Sequence, residues 1–168
     1  MSGVAISSTV PDAMGASVYR GSSRLFLEQL PVPRIASDEL LVRVEACGIC
    51  HTDLKKIKYD LLPPPRVYGH ETAGVVVGVG EQVQGLVPGD RVCLFHHVPC
   101  LECRHCRRGH ETMCQTLHKT TFDPGGFSQY VRLTKINTRL GVFQIPEKVT
   151  YEEASFAEPL ACVLRGQD

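Results

Sequence analysis

The chain lacks a charge of either sign to spare: 18 Lys and Arg balance 18 Asp and Glu over 168 residues. That balance argues against the one-signed fields by which proteins hold nucleic acid or an anionic membrane. No apolar run approaches the roughly 20 residues that a membrane-crossing helix needs. Met1–Ala16 has neither the basic start nor the continuous apolar stretch of a secretory signal, so a cytoplasmic location is expected. Internal repeats and low-complexity tracts are missing too, which sets aside solenoids and biased linkers. A content of 43% hydrophobic residues is ordinary for a globular protein, and the length suffices for one domain with a core, or for one domain and a piece of another.

Cysteine is abundant instead, with eight in the chain. In a reducing compartment clustered cysteines favour metal over disulfides. Four of them read Cys100-x2-Cys103-x2-Cys106-x7-Cys114, inside fifteen residues. Four thiolates that close can complete a tetrahedral shell around Zn²⁺, and a shell of four protein ligands leaves no open position. This zinc is therefore read as structural, in a lobe spanning residues 96–118. The basic residues Arg104, His105, Arg107 and Arg108 inside it read as a solvated loop that offsets thiolate charge.

The rest of the chain is rich in short strand patterns and in Gly/Pro turns. Residues 1–15 are small and polar and read as a flexible tail. Strands are expected over 16–20 and 25–30, separated by Gly21-Ser22-Ser23. In Glu39–Ala46, Val42, Val44 and Ala46 point one way and Leu41, Arg43 and Glu45 the other, which predicts a half-buried strand. A short helix is expected over Cys50–Lys58, and further strands over 72–79, 91–95 and 127–133. Thr150 and Glu153 fit a capping box that starts a helix, and Pro159 fits the first turn of another. The sum is a mainly β, barrel-like fold with few short helices over residues 16–149, followed at 150–168 by the start of a helical connection.

A second constellation lies at the strand ends. Cys50 follows one strand, and His70-Glu71 precedes another some 20 residues on. A thiolate, an imidazole and one or two carboxylates suit Zn²⁺ with an open position. Glu158, at a helix start far along the chain, can supply the remaining oxygen.

These pieces resemble a known family. Gly69-His70-Glu71-Thr72-Ala73-Gly74, with Gly80 and Val83 following, is similar to the zinc-containing alcohol dehydrogenase signature. Cys50-His51-Thr52-Asp53, Gly89-Asp90-Arg91-Val92, the four-cysteine lobe, Gly125-Gly126-Phe127 and Tyr130-Val131 follow the same family order. The chain resembles the N-terminal, GroES-like catalytic domain of zinc-dependent medium-chain dehydrogenases over residues 16–165. Glu158-Pro159-Leu160 is more similar to the sorbitol and threonine dehydrogenase branches. The resemblance implies an oxidoreductase that oxidises a polyol, amino-alcohol or secondary alcohol with NAD or NADP, and two zinc ions per chain, one catalytic and one structural. It implies Cys50 and His70 as catalytic-zinc ligands, with Glu71 and Glu158 binding zinc directly or through water. Asp53 is then the carboxylate that orients the ligand imidazole, Thr52 the hydroxyl that relays the alcohol proton, and His96 a wall of the substrate pocket. Relatives are homodimers or homotetramers.

Two departures stand out. Lys55 occupies the position three residues after the relay hydroxyl, where many alcohol dehydrogenases carry a histidine. No dinucleotide turn is present either: Gly78-Val79-Gly80-Glu81-Gln82-Val83 lacks a third glycine and leads into turn and strand. The sequence is thus expected to be a truncated piece of a longer dehydrogenase. Cys47 and Cys93 read as small apolar residues packed in strands, with a redox-active Cys47-x2-Cys50 pair as the alternative, and Cys162 reads as core or a contact with another domain. The alternatives are a non-catalytic zinc-binding interaction module and a metal-free quinone reductase of the zeta-crystallin type, the latter disfavoured by the cysteines. The chain by itself is expected to bind zinc without turning over alcohols. A spectrophotometric assay with NAD⁺, NADP⁺ and a polyol panel checks this, and ordinary turnover would contradict it.

Overall fold

The computed structural model describes residues 4–7 and 10–167. Two antiparallel sheets carry the fold. The smaller has the order β3-β2-β5, with β2 Ala13–Tyr19, β3 Leu25–Pro31 and β5 Arg66–Val67. The larger runs β8-β4-β6-β7-β9, from Tyr130–Leu133, Leu40–Gly48, Glu71–Val79, Arg91–Leu94 and Val142–Gln144. A short β1, Ala5–Ile6, pairs with the far end of β6. Residues just before β8 stitch the sheets together: Ser17 donates to the Phe127 carbonyl at 2.8 Å and Gln129 to that of Gly15 at 3.1 Å. The result is a partly open barrel, as the strand and turn pattern implies, and it fits the GroES-like domain that the family resemblance implies. Every strand pair among the described residues is antiparallel, so they contain no parallel βαβ unit of the dinucleotide-binding kind.

The main core lies on one face of the larger sheet: Leu40, Val42, Val76, Val92, Leu94, Phe122, Val131 and Leu133 are almost wholly buried. Each such side chain contributes about 1.5–3 kcal/mol by leaving water. The alternation expected in β4 holds from Val42 onward. Its first half differs, because Leu41 is buried on the opposite face against Met14, Val77 and Tyr130. The smaller sheet covers that face, and strand periodicity alone does not reveal a second layer.

Helix α1, His51–Lys58, fills the expected range less Cys50, which caps it. Lys55, Lys56 and Lys58 sit in its last turn, where cations complement the helix dipole. Helix α2, Lys135–Leu140, was not expected, and neither were β5 and β9. All three are too short to carry a periodic signal. Helix α3, Tyr151–Ser155, opens with the expected capping box, Thr150 Oγ1 accepting from the Glu153 amide at 3.1 Å and Glu153 Oε2 from Thr150 at 2.8 Å. Helix α4, Ala157–Arg165, has Pro159 in its first turn as expected. The tail is shorter than residues 1–15: β1 and the start of β2 fall inside it, while residues 1–3 and 8–9 lie outside the described residues. No helix among the described residues is long and apolar enough to cross a membrane.

Fully buried Tyr19 donates its hydroxyl to Asp60, holding the turn after α1 against β2. That bond raises Tyr19 to about 12 and lowers Asp60. The Tyr19 contribution to stability is present below the unfolded value of about 10 and is lost as pH rises through the folded one. The Asp60 contribution is lost as pH falls through its depressed value. Ultraviolet titration is expected to show Tyr19 ionising only near pH 12, and earlier in Asp60→Asn. Simultaneous ionisation of all tyrosines would contradict the pairing.

Candidate metal centres

Strand register explains why residues distant in sequence meet. Gly48 pairs with Glu71 across β4 and β6, and Thr72 pairs with Leu94 across β6 and β7. Extending both ladders beyond the strand ends brings Cys50 toward Gly69-His70, and His96 opposite His70. One end of three adjacent strands therefore delivers a thiol, two imidazoles and a carboxylate. The ligand atoms of Cys50, His70 and Glu71 all lie within 4.8 Å of one another. The rings of His70 and His96 stand 4.6 Å apart between centroids.

Two local devices aim these groups. Gly69 takes φ +91°, a turn that an L side chain rarely adopts, and its amide donates to Asp53 Oδ1 at 3.5 Å. Cys50 is the N-cap of α1: its sulfur accepts from the Thr52 amide at 3.4 Å, and Asp53 Oδ2 accepts from the Cys50 amide at 3.3 Å. The same carboxylate, 1% exposed, lies 3.3 Å from His70 Nδ1. Nδ1 thus carries its hydrogen toward Asp53, which leaves Nε2 to donate a lone pair. Burial is the largest single influence and opposes a charged His70, but the hydrogen bond and charge of Asp53, with Cys50 and Glu158, together outweigh it and raise the ring to about 9.

His96 behaves in the opposite way. Burial, reinforced by His97, His70 and Lys56, pushes it down to about 3, so it stays neutral. Its Nδ1 is buried without a hydrogen-bond partner, with Glu158 Oε1 at 4.0 Å. Glu158 stands just outside the Cys50–His70–Glu71 group, its carboxyl raised chiefly by burial. Of the two carboxylates singled out in the sequence, Glu71 is within that group. Thr52 and Lys55 are exposed on α1.

The lobe gathers its cysteines as their spacing predicts. The sulfurs of Cys100 and Cys106 are 3.9 Å apart, those of Cys103 and Cys106 3.5 Å, and those of Cys100 and Cys114 3.6 Å. Four sulfurs bonded to one zinc at about 2.3 Å stand about 3.8 Å from one another, so the cluster fits that ion. Backbone amides already serve the thiolates: Cys100 donates to Cys114 Sγ and Cys103 to Cys100 Sγ. The Cys100 amide draws Cys114 down to about 5, whereas burial pushes Cys106 up to about 12. Cys47, half-buried, is raised to about 11 chiefly by loss of solvation and contacts Thr72 Oγ1, which fits a packing role.

Two contributors escape a reading by residue type. Asn137, wholly buried on α2, donates to the carbonyls of Phe95 and His96 at 3.1 and 2.9 Å and so fixes the His96 backbone. Gly48 leaves the space that Glu71 fills: a Cβ there would stand 2.1 Å from Glu71 Oε2. Its position two residues before Cys50 is the available signal. Gly48→Ala is expected to displace Glu71 and weaken zinc at the Cys50–His70 centre about 10–100-fold, leaving the lobe zinc in place. Competition with a chromogenic chelator checks this, and unchanged affinity would contradict it.

Comparison with known proteins agrees with this geometry. The chain is 36% identical over 160 residues to sorbitol dehydrogenase of Bacillus subtilis (strain 168), covering 91% of itself and 44% of that protein. It is 32% identical over 149 residues to L-threonine 3-dehydrogenase of Escherichia coli O139:H28, covering 85% and 42%. A structure from Sinorhizobium meliloti 1021, assigned as a zinc-binding dehydrogenase and bound to NADP, superposes with a TM-score of 0.79 at 32% identity, over 94% of this chain and 46% of that one. The chain thus spans less than half the length of these relatives. The family model of the alcohol dehydrogenase GroES-like domain matches residues 36–147, and the chain belongs to that family.

Proposed function

We propose that the chain is the metal-binding, substrate-side domain of a zinc-dependent dehydrogenase that oxidises a polyol, an amino-alcohol or a secondary alcohol, with NAD or NADP accepting the hydride. One observation carries the reading: the donor atoms of Cys50, His70 and Glu71 converge within 4.8 Å at the adjoining ends of β4 and β6. The relatives named sorbitol and threonine dehydrogenase support the substrate class. The NADP-bound relative supports a nicotinamide cofactor, held by a unit beyond the described residues.

Two zinc ions per chain are proposed, one on Cys100, Cys103, Cys106 and Cys114 and one on Cys50 and His70 with Glu71 or Glu158. The second would supply Lewis acidity that lowers the pKa of an alcohol oxygen. The residues around it have separate tasks. Asp53 holds the His70 ring in one tautomer. Neutral His96 forms a wall that adds no competing charge. Thr52, whose hydroxyl both accepts and donates, passes the alcohol proton toward solvent. Lys55 is exposed beside it, so the proton leaves through water or His51. Eight unpaired cysteines suit a reducing cytoplasm, and the longer protein is proposed to be a homodimer or homotetramer.

Zinc content and variant phenotype test the assignment together. About two zincs per chain are expected, falling to about one in Cys50→Ser or His70→Ala with the fold retained. In the longer enzyme both variants abolish turnover. Cys106→Ser is instead expected to lower the melting temperature or cause dissociation. One zinc per wild-type chain, lost only with the lobe cysteines, would turn the reading into the interaction module.

A further inference from the structure

His70, one of the three residues of the Cys50–His70–Glu71 group, lines together with His96 a cavity of about 350 Å³. That volume lies at the lower end of small-ligand sites, about 300–1,000 Å³. The charge of its lining is one-sided in a chain whose total is zero. Lys56 from α1, Arg66 from β5 and Lys119 from the segment after the cysteine lobe all border it. None of the three makes an ion pair among the described residues. Among the described residues the only carboxylate on the wall is Asp53, already committed to Cys50, Gly69 and His70. Tyr68 also lines the cavity, and its hydroxyl is buried with no hydrogen-bond partner although the residue is only 5% exposed. A buried hydroxyl left unpaired costs about 1–3 kcal/mol, so a polar guest that reaches it has something to gain.

We propose that the alcohol taken by this site carries an anionic group, a phosphate monoester or a carboxylate, seated on Lys56, Arg66 and Lys119 while its hydroxyl end reaches the Cys50–His70–Glu71 centre. Charge-assisted hydrogen bonds from guanidinium and ammonium groups are about twice as strong as neutral ones, and a neutral polyol leaves the three cations unused. The cations come from three separate segments of the chain, so only the assembled fold presents them together. The inference rests on the dehydrogenase reading and narrows its substrate.

Binding to the zinc-loaded chain, measured calorimetrically, tests it with glucitol, glucitol 6-phosphate, gluconate and inorganic phosphate as probes. Glucitol 6-phosphate or gluconate is expected to bind about tenfold or more tightly than glucitol, as one or two charge-assisted bonds would give. The tighter of the two identifies the anion. The double variant Lys56→Met/Arg66→Met is expected to remove that advantage and leave glucitol unchanged. Should it melt early, Lys119→Met, on an exposed residue, is expected to reduce the advantage alone. Equal binding of charged and neutral probes, or an advantage undiminished in the variants, overturns the inference. A chain with two zincs and no anion preference overturns this inference only. A chain with one zinc that still holds the anion through Lys56 and Arg66 keeps the seat and removes the dehydrogenase reading.

Discussion

Asp53 accepts from the backbone amides of Cys50 and Gly69 and faces His70 Nδ1, so a single buried carboxylate joins the start of α1 to the start of β6. Burying that charge is tolerable only because each oxygen has a donor. The arrangement is self-reinforcing. Asp53 is the third residue of the helix that Cys50 caps, so the group that closes the capping box is also the one that orients the imidazole. Secondary structure and chemistry share one side chain, and neither the thiol nor the ring can shift without disturbing the other.

The two metal seats have different origins. The sulfur cluster closes within fifteen residues of chain and asks little of the sheets. The other seat exists only once β4 and β6 have found register, with β7 bringing His96 alongside, because its groups sit at the strand ends. A slip of one residue would turn Glu71 away from Gly48 and toward the other face of the sheet. The Val-rich β6, buried on both faces, guards against that slip: its side chains are committed to cores on either side.

The fold was legible where the chain repeats a period or announces a turn. The β4, β6 and β7 patterns, the α3 capping box and Pro159 in α4 all lie where the residues point. The four-cysteine lobe was legible because its ligands are local. Cys50, His70 and Glu71 stood out by type as one constellation, yet their meeting is a matter of register, and their separate roles came from the family resemblance. What stayed hidden is tertiary. Leu41 is buried because a second sheet passes over it. Helix α2 has only six residues, and its Asn137 is tied to Phe95 and His96. The one-sided charge of Lys56, Arg66 and Lys119 is invisible in a neutral composition.

The lobe is not as detached as its irregular backbone suggests. At its neck, Thr120 receives the Val98 amide at 2.9 Å, and its carbonyl stands 2.7 Å from His97 Nδ1. His97 stacks on His96 at 3.8 Å between ring centroids. The chain leaving the sulfur knot therefore runs straight into the flank of the cavity that His70 and His96 line. A clasp built on sulfur also props a doorway, and a chain stripped of the four thiolates would have to brace that frame another way.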